Sequence, residues 1–96
     1  ACGIAFAMRF IRAASQGGTE IGFHADEAVV MAAQTIKGAA MLVTELEQHP
    51  ESAIDQVTTP MGCTIAGLNE MEYEGFSSAA IRGIRRSYER AGAIEH

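Results

Sequence analysis

Apolar residues recur at helical spacing along most of the chain, and their pattern predicts five helices. The longest predicted helix covers residues 25–48, and its apolar residues follow one another at intervals of three or four positions. We expect this stripe to be buried. Its members are Val29, Ala33, Ile36, Ala40, Val43 and Leu46. The other predicted helices cover residues 4–16, 51–56, 64–74 and 77–91. The pattern therefore predicts an all-α fold.

Glycine, proline and serine residues mark the ends of the predicted helices. Gly17 and Gly18 are expected to stop the first helix, although adjacent glycines also suit a close crossing of two helices. Pro50 ends the long helix and opens the short one, because proline is tolerated in a first helical turn. Gly75 closes the fourth helix, and Ser77 is the expected N-cap of the last.

The predicted helices carry more apolar surface than five short helices can cover. Four residues of the last helix are expected to face inward: Ile81, Ile84, Tyr88 and Ala91. Small residues at positions 38–40 of the long helix allow another helix to approach closely. We therefore expect one domain, residues 1–96, whose compact helical bundle interlocks with a partner chain as a homodimer or a higher oligomer. The competing interpretation is a monomer with a small core.

Composition and charge exclude several classes of protein. Only 6% of the 96 residues are aromatic, and alanine is far more frequent than valine, which speaks against a β-sandwich. A net charge of −5 argues against nucleic-acid binding. No apolar run is long enough to span a membrane, and no signal peptide is recognised. The two cysteines, Cys2 and Cys63, are expected to be free thiols of a cytoplasmic protein.

Residues 58–64 form the segment with the most chemical character. They lie between two predicted helices and lead into a helix N-terminus, where free N–H groups and the helix dipole favour a small anion such as a carboxylate. Hydroxyls of Thr59 and Thr64 can add directional hydrogen bonds. In the competing interpretation, Thr58 or Thr64 only caps a helix.

The remaining reactive side chains give weaker signals. Cys63 has no histidine nearby in sequence, so a small buried residue is favoured over a nucleophile. His24, His49 and His96 lack metal-ligand spacing, so no metal site is expected. His49 suits the C-terminal end of the long helix. Because no G-x-G-x-x-G follows a strand, we expect no dinucleotide site in this chain.

Several motifs, taken together, resemble one enzyme family. Residues 55–68 read DQVTTPMGCTIAGL, and the sequences AAQT and GAA (residues 32–35 and 38–40), His-Pro (49–50) and Glu-Gly-Phe (74–76) lie around them. This order is similar to the C-terminal dimerisation domain of pyrroline-5-carboxylate reductase, whose signature is D-x-V-[ST]-[ST]-P-G-G-[ACT]-T-I-x-[AG]-L. Residues 1–6, ACGIAF, resemble the family's element G-x-G-P-A-[FY]. In two departures, Met61 replaces a usual glycine and Ile4 a usual proline.

The resemblance implies a reductase that converts 1-pyrroline-5-carboxylate to L-proline, in the last step of proline biosynthesis. NADPH or NADH would be bound mainly by an N-terminal Rossmann domain that this chain lacks, so the chain alone would bind no cofactor and be inactive. The small imine-acid substrate would be bound by Thr59, Gly62, Cys63 and Thr64. Thr64 would also be catalytic, near the ring nitrogen and the nicotinamide.

Two other functions compete with this one. A stand-alone helical oligomerisation module without a catalytic role would keep the apolar stripes and use the threonine-rich segment as a capped turn. A related imine or keto-acid reductase would have a pocket changed by Met61, which restricts the backbone and adds a side chain near the substrate.

Overall fold

Five helices make up the regular structure of the chain, in a computed structural model that describes residues 1–95. They are α1 (Cys2–Glu20), α2 (Ala25–Thr44), α3 (Pro50–Gln56), α4 (Cys63–Tyr73) and α5 (Phe76–Glu95). No strand occurs among these residues, so the predicted all-α class and the predicted number of helices are confirmed. His96 lies outside the described residues.

Contacts group the helices into two units. The first extends over Gly3–Ala53 and contains α2 and nearly all of α1. The second begins at Ile54 and contains α4 and α5, which pack against each other. The single compact domain expected from the sequence stays a prediction.

The C-terminal end of α1 is a Schellman motif. Gly22 has a positive φ of 121°, and its N–H donates to the carbonyl of Thr19 at 3.1 Å. The N–H of Phe23 donates to the carbonyl of Gly18 at 3.0 Å, which completes the motif. The stop predicted at Gly17 and Gly18 was therefore wrong, because the helix ends where the backbone turns left-handed rather than at its first glycine pair.

The glycine pair of α1 instead allows a close approach to α2. A Cβ placed on Gly18 would lie 3.2 Å from the Cβ of Ala28, whereas one placed on Gly17 would meet nothing within 4 Å. The second role expected for the pair, a close helix crossing, is therefore confirmed for Gly18. Only a small residue fits at this point of α1 without moving its neighbour.

Few side chains are buried where burial is described, over residues 1–92. The buried ones are Ser15, Ala28 and Ala32, and the hydroxyl of Ser15 is satisfied by the carbonyl of Arg12 at 2.8 Å. The stripe predicted to be buried on α2 is largely exposed within the chain, as at Val29 and Val43. That expectation was wrong for the single chain, because α2 meets α1 through its small alanines.

His49 lies in the segment between α2 and α3 and not at the end of α2. α2 ends at Thr44, four residues before its predicted end, and Glu47 then has a left-handed φ of 54°. The Nδ1 atom of His49 accepts a hydrogen bond from the N–H of Glu51 at 3.1 Å. His49 thus satisfies a donor at the start of α3, so its predicted place at the end of α2 was wrong. Pro50 opens α3, as predicted.

Gly75 both closes α4 and starts α5. With a φ of 84°, it donates to the carbonyl of Glu72 at 2.9 Å and accepts from the N–H of Ala79 at 2.8 Å. Ser77 therefore lies inside α5, where its hydroxyl donates to a carboxylate oxygen of Glu72 at 2.5 Å. The closure of α4 at Gly75 is confirmed, and the N-cap predicted at Ser77 was wrong.

The exposure of the apolar residues of α5 also differs from the prediction. The residues expected to face inward are exposed within the chain, from Ile84 at 59% to Tyr88 at 79%. Arg85 and Arg86 form exposed ion pairs with Glu89, at 3.7 and 3.9 Å, as expected for a solvated face. Over residues 76–92, α5 thus has no fully buried side chain, although it packs against α4.

Candidate functional site

The connection from α3 to α4 begins with a local closure of α3. The N–H groups of Val57 and Thr58 donate to the carbonyls of Ile54 and Asp55, at 3.1 and 3.3 Å. The hydroxyl of Thr58 donates to the carbonyl of Ile54 at 2.6 Å. The hydroxyl of Thr58 therefore caps the end of α3. This is the capping role given to Thr58 in the competing interpretation of the sequence.

Residues 59–62, which we call the signature turn, form a tight turn before α4. The N–H of Gly62 donates to the carbonyl of Thr59 at 3.0 Å, which closes the turn. Pro60 occupies its second position, and Met61 occupies the third with a left-handed φ of 60°. Proline followed by a residue with positive φ is the arrangement of a type II turn, which favours glycine or asparagine where this chain has Met61.

Gly62 is required by the closeness of the turn. A Cβ at this position would lie 2.5 Å from the hydroxyl oxygen of Thr59 and 3.0 Å from its carbonyl oxygen. Gly62 also has extended backbone angles as the N-cap of α4, with no side-chain cap. The absence of a side chain at Gly62 therefore allows the Thr59 side chain to lie close to the start of α4.

The first turn of α4 leaves three N–H donors free. The first N–H of the helix with a backbone acceptor is that of Ala66, which donates to the carbonyl of Gly62 at 3.4 Å. The N–H groups of Cys63, Thr64 and Ile65 make no hydrogen bond among the described residues. Together with the positive end of the helix dipole, these three donors favour a small anion.

Two hydroxyl groups lie beside these donors. The hydroxyls of Thr59 and Thr64 form no hydrogen bond within the described part of the chain, and Thr64 is half-buried. Cys63 is an exposed free thiol, so the expectation of a small buried residue was wrong at this position. The signature turn and the first turn of α4 thus offer donors from both backbone and side chains.

The structure brings the predicted site residues together on one connection. Thr59, Gly62, Cys63 and Thr64 occupy the signature turn and the first turn of α4. The N–H of Gly62 is engaged within the turn, whereas the free N–H of Ile65 was not anticipated. Placing the N-cap at Gly62 would have identified it, because a helix leaves its first N–H groups without internal partners.

Residues 1–95 do not contain the usual motifs of a dinucleotide or metal site. Neither a strand with a glycine-rich loop nor a group of three histidine, cysteine or acidic residues suited to a metal occurs there. None of the helices, over that same part of the chain, has the length and apolar character of a membrane span.

Related proteins place these features in one family. The chain is 64% identical, over 98% of its length, to pyrroline-5-carboxylate reductase 1 of Dictyostelium discoideum, and covers 17% of that protein. It is 59% identical, over 94% of its length, to pyrroline-5-carboxylate reductase 2 of the same organism, and covers 30% of it. The chain thus spans less than a third of either relative.

A solved structure and a family model agree with these relatives. The crystal structure of Plasmodium falciparum pyrroline carboxylate reductase with NADP bound superposes with a TM-score of 0.93 at 25% identity. That likeness covers 99% of this chain and 36% of the Plasmodium chain. The family model described as pyrroline-5-carboxylate reductase dimerisation matches residues 1–94. The chain therefore belongs to the pyrroline-5-carboxylate reductase dimerisation family, as its signature residues indicated.

Proposed function

We propose that this chain is the dimerisation and substrate-binding part of an enzyme that reduces 1-pyrroline-5-carboxylate to L-proline with NAD(P)H. The observation that carries the proposal is the group of three free N–H donors at the start of α4, in the segment that resembles the family signature. The substrate is a small carboxylate, which is the ligand that such donors favour.

The substrate carboxylate accepts hydrogen bonds from the N–H groups of Cys63, Thr64 and Ile65. The hydroxyl of Thr59 adds a fourth donor from the neighbouring turn, and Gly62 keeps that turn close. The hydroxyl of Thr64 contacts the ring nitrogen and orients the imine, so Thr64 is the catalytic residue of this chain. A protonated imine needs orientation more than a strong acid, and these neutral groups supply it.

The cofactor is bound mainly by a separate N-terminal domain. When bound, NADPH or NADH supplies the hydride for the reduction. The Plasmodium relative was crystallised with NADP, which supports a nicotinamide cofactor for the complete enzyme. This chain alone binds no cofactor and has no reductase activity.

The chain forms a homodimer, from which a larger oligomer can assemble. The support is the family to which it belongs and the many large apolar side chains that the single chain leaves exposed on α2 and α5. Hydrophobic surface of this extent is typical of helices that pack against a partner. The free thiols Cys2 and Cys63 fit a reducing compartment, and we place the enzyme in the cytoplasm.

Oxidation of NADPH in the presence of the imine acid tests this function. The complete enzyme that contains this chain is expected to form L-proline, and the chain alone is expected to form none. Product formation by the isolated chain would contradict the assignment of the cofactor to a separate domain. If the complete protein assembles but reduces no imine acid, the result favours the competing interpretation, in which the chain is an oligomerisation module without a catalytic role. Faster reduction of a keto acid than of the imine acid would favour the related reductase.

A further inference from the structure

We infer that the side chain of Met61 lies over the ligand held at the first turn of α4, contacts its apolar carbons and limits which cyclic imino acids bind. The inference rests on the proposed function, because it requires a carboxylate ligand at the free donors of Cys63, Thr64 and Ile65. It adds a specificity-determining residue that departs from the glycine of the family signature.

The backbone of Met61 is strained without a compensating contact in the chain. Its φ of 60° is left-handed, a conformation that disfavours residues with a Cβ. Among the described residues only Glu47 is another non-glycine with positive φ, and its polar side chain lies in a loop at the end of α2. The side chain of Met61 is fully exposed and makes no hydrogen bond. Within the described residues, nothing that Met61 touches offsets the strain.

The position of Met61 puts its side chain within reach of a bound ligand. Met61 precedes the N-cap Gly62 and lies two residues before the first free donor, Cys63. In our inference, the ring of a ligand whose carboxylate accepts from those donors lies on the side of the signature turn. Methionine is unbranched and adaptable, so it can follow the surface of a small ring.

The chemistry around Met61 suits the apolar part of such a ligand. No charged residue occurs from Gln56 to Asn69, so the signature turn and the start of α4 are uncharged throughout. A cyclic imino acid has one carboxylate and a ring of methylene carbons. The N–H donors match the carboxylate, and the thioether of Met61 matches the ring carbons.

Steady-state kinetics of the complete enzyme test the inference with three variants. Met61→Gly removes the side chain and relieves the strain, and Met61→Asn removes the apolar reach while keeping a residue that tolerates positive φ. Both are expected to raise the KM for 1-pyrroline-5-carboxylate by about fivefold or more, with kcat changed by less than about twofold. Both are also expected to improve the relative kcat/KM for the six-membered-ring homologue. Met61→Leu keeps an apolar side chain at this position, so it is expected to keep more of the ring selectivity than the glycine and asparagine variants do.

The same assays distinguish failure of the proposed function from failure of the inference about Met61. If the parent enzyme does not reduce the imine acid, the proposed function fails and this inference fails with it. If the parent enzyme is active and the glycine and asparagine variants keep its KM and ring selectivity, only the inference is overturned. A change confined to the KM for NADPH also overturns it, because Met61 would then contact the cofactor. Thermal unfolding of each variant confirms that the compared proteins are folded.

Discussion

At the scale of single residues, the threonines on either side of the signature turn, Thr58 and Thr64, have different tasks. Thr58 closes α3 through its hydroxyl, whereas the hydroxyl of Thr64 has no partner in the described chain. An unpartnered, half-buried hydroxyl at a helix start is available to a ligand. The kinetic roles of the two residues should therefore separate cleanly.

Replacing Thr64 removes a hydrogen bond to the substrate under the proposed function. In the complete enzyme, Thr64→Ala is expected to lower kcat/KM for the imine acid by the equivalent of about 1–3 kcal/mol. Thr64→Ser keeps the hydroxyl and should restore most of the loss. Thr58→Val is the matched control, and it should lower stability without a comparable change in kcat/KM. Unchanged kinetics in Thr64→Ala would remove Thr64 from the site.

A second prediction concerns Gly62 and the closeness of the signature turn. Gly62→Ala places a methyl group 2.5 Å from the hydroxyl oxygen of Thr59, so the turn must open or Thr59 must move. We expect the free energy of unfolding to fall by about 1–3 kcal/mol, measured by urea denaturation. Gly67→Ala, inside α4 with nothing within 4 Å, is the control, and it should raise stability by about 0.5–1 kcal/mol. Equal effects of the two substitutions would contradict the predicted clash.

At the scale of helices, the crossing of α1 and α2 depends on one member of a glycine pair. Gly18→Leu adds a side chain whose Cβ begins 3.2 Å from Ala28, whereas Gly17→Leu points into open space within the chain. Both substitutions gain helix propensity by the same amount. We therefore expect Gly18→Leu to be less stable than Gly17→Leu by about 1–3 kcal/mol in thermal unfolding. Similar stability of the two variants would mean that the helices separate easily at this point.

The number of helices could be predicted from periodicity, but several of their ends could not. Gly18 and Gly22 are both glycines near the end of an apolar pattern, and only Gly22 has a positive φ, whereas Gly18 lies against Ala28. Sequence alone does not distinguish a glycine needed for a turn from one needed for a close approach. At the start of α5, likewise, Gly75 occupies the capping position that a serine preference assigned to Ser77.

The candidate site was predicted more fully than the burial of the helices. Its residues are close together in sequence, so local chemistry was enough to bring Thr59, Gly62 and Thr64 to one connection between α3 and α4. Which N–H groups stay free depends on where α4 begins: with Gly62 as its N-cap, they are those of Cys63, Thr64 and Ile65. Burial of the α2 stripe, in contrast, depends on contacts that the single chain does not make, as at Val43.

At the scale of the whole molecule, the exposed apolar residues require an explanation that the single chain does not supply. Over residues 1–92 the buried side chains are one serine and two alanines, whereas large apolar residues on every long helix are exposed. A chain of this size that buried so little would be marginally stable as a monomer. Assembly with a second copy would cover these residues and supply the missing hydrophobic stabilisation.

The mass of this chain in solution tests assembly directly. Light scattering over a range of micromolar concentrations is expected to give a stable dimer or a larger oligomer. Val43→Glu places a charge on the apolar stripe of α2, where the side chain is 42% exposed, so it should weaken the dimer. Gln34→Glu adds the same charge at an exposed polar position of the same helix and should leave the mass unchanged. A folded monomer at these concentrations would mean that the helices close on themselves, and the dimer would have to form through other parts of the enzyme.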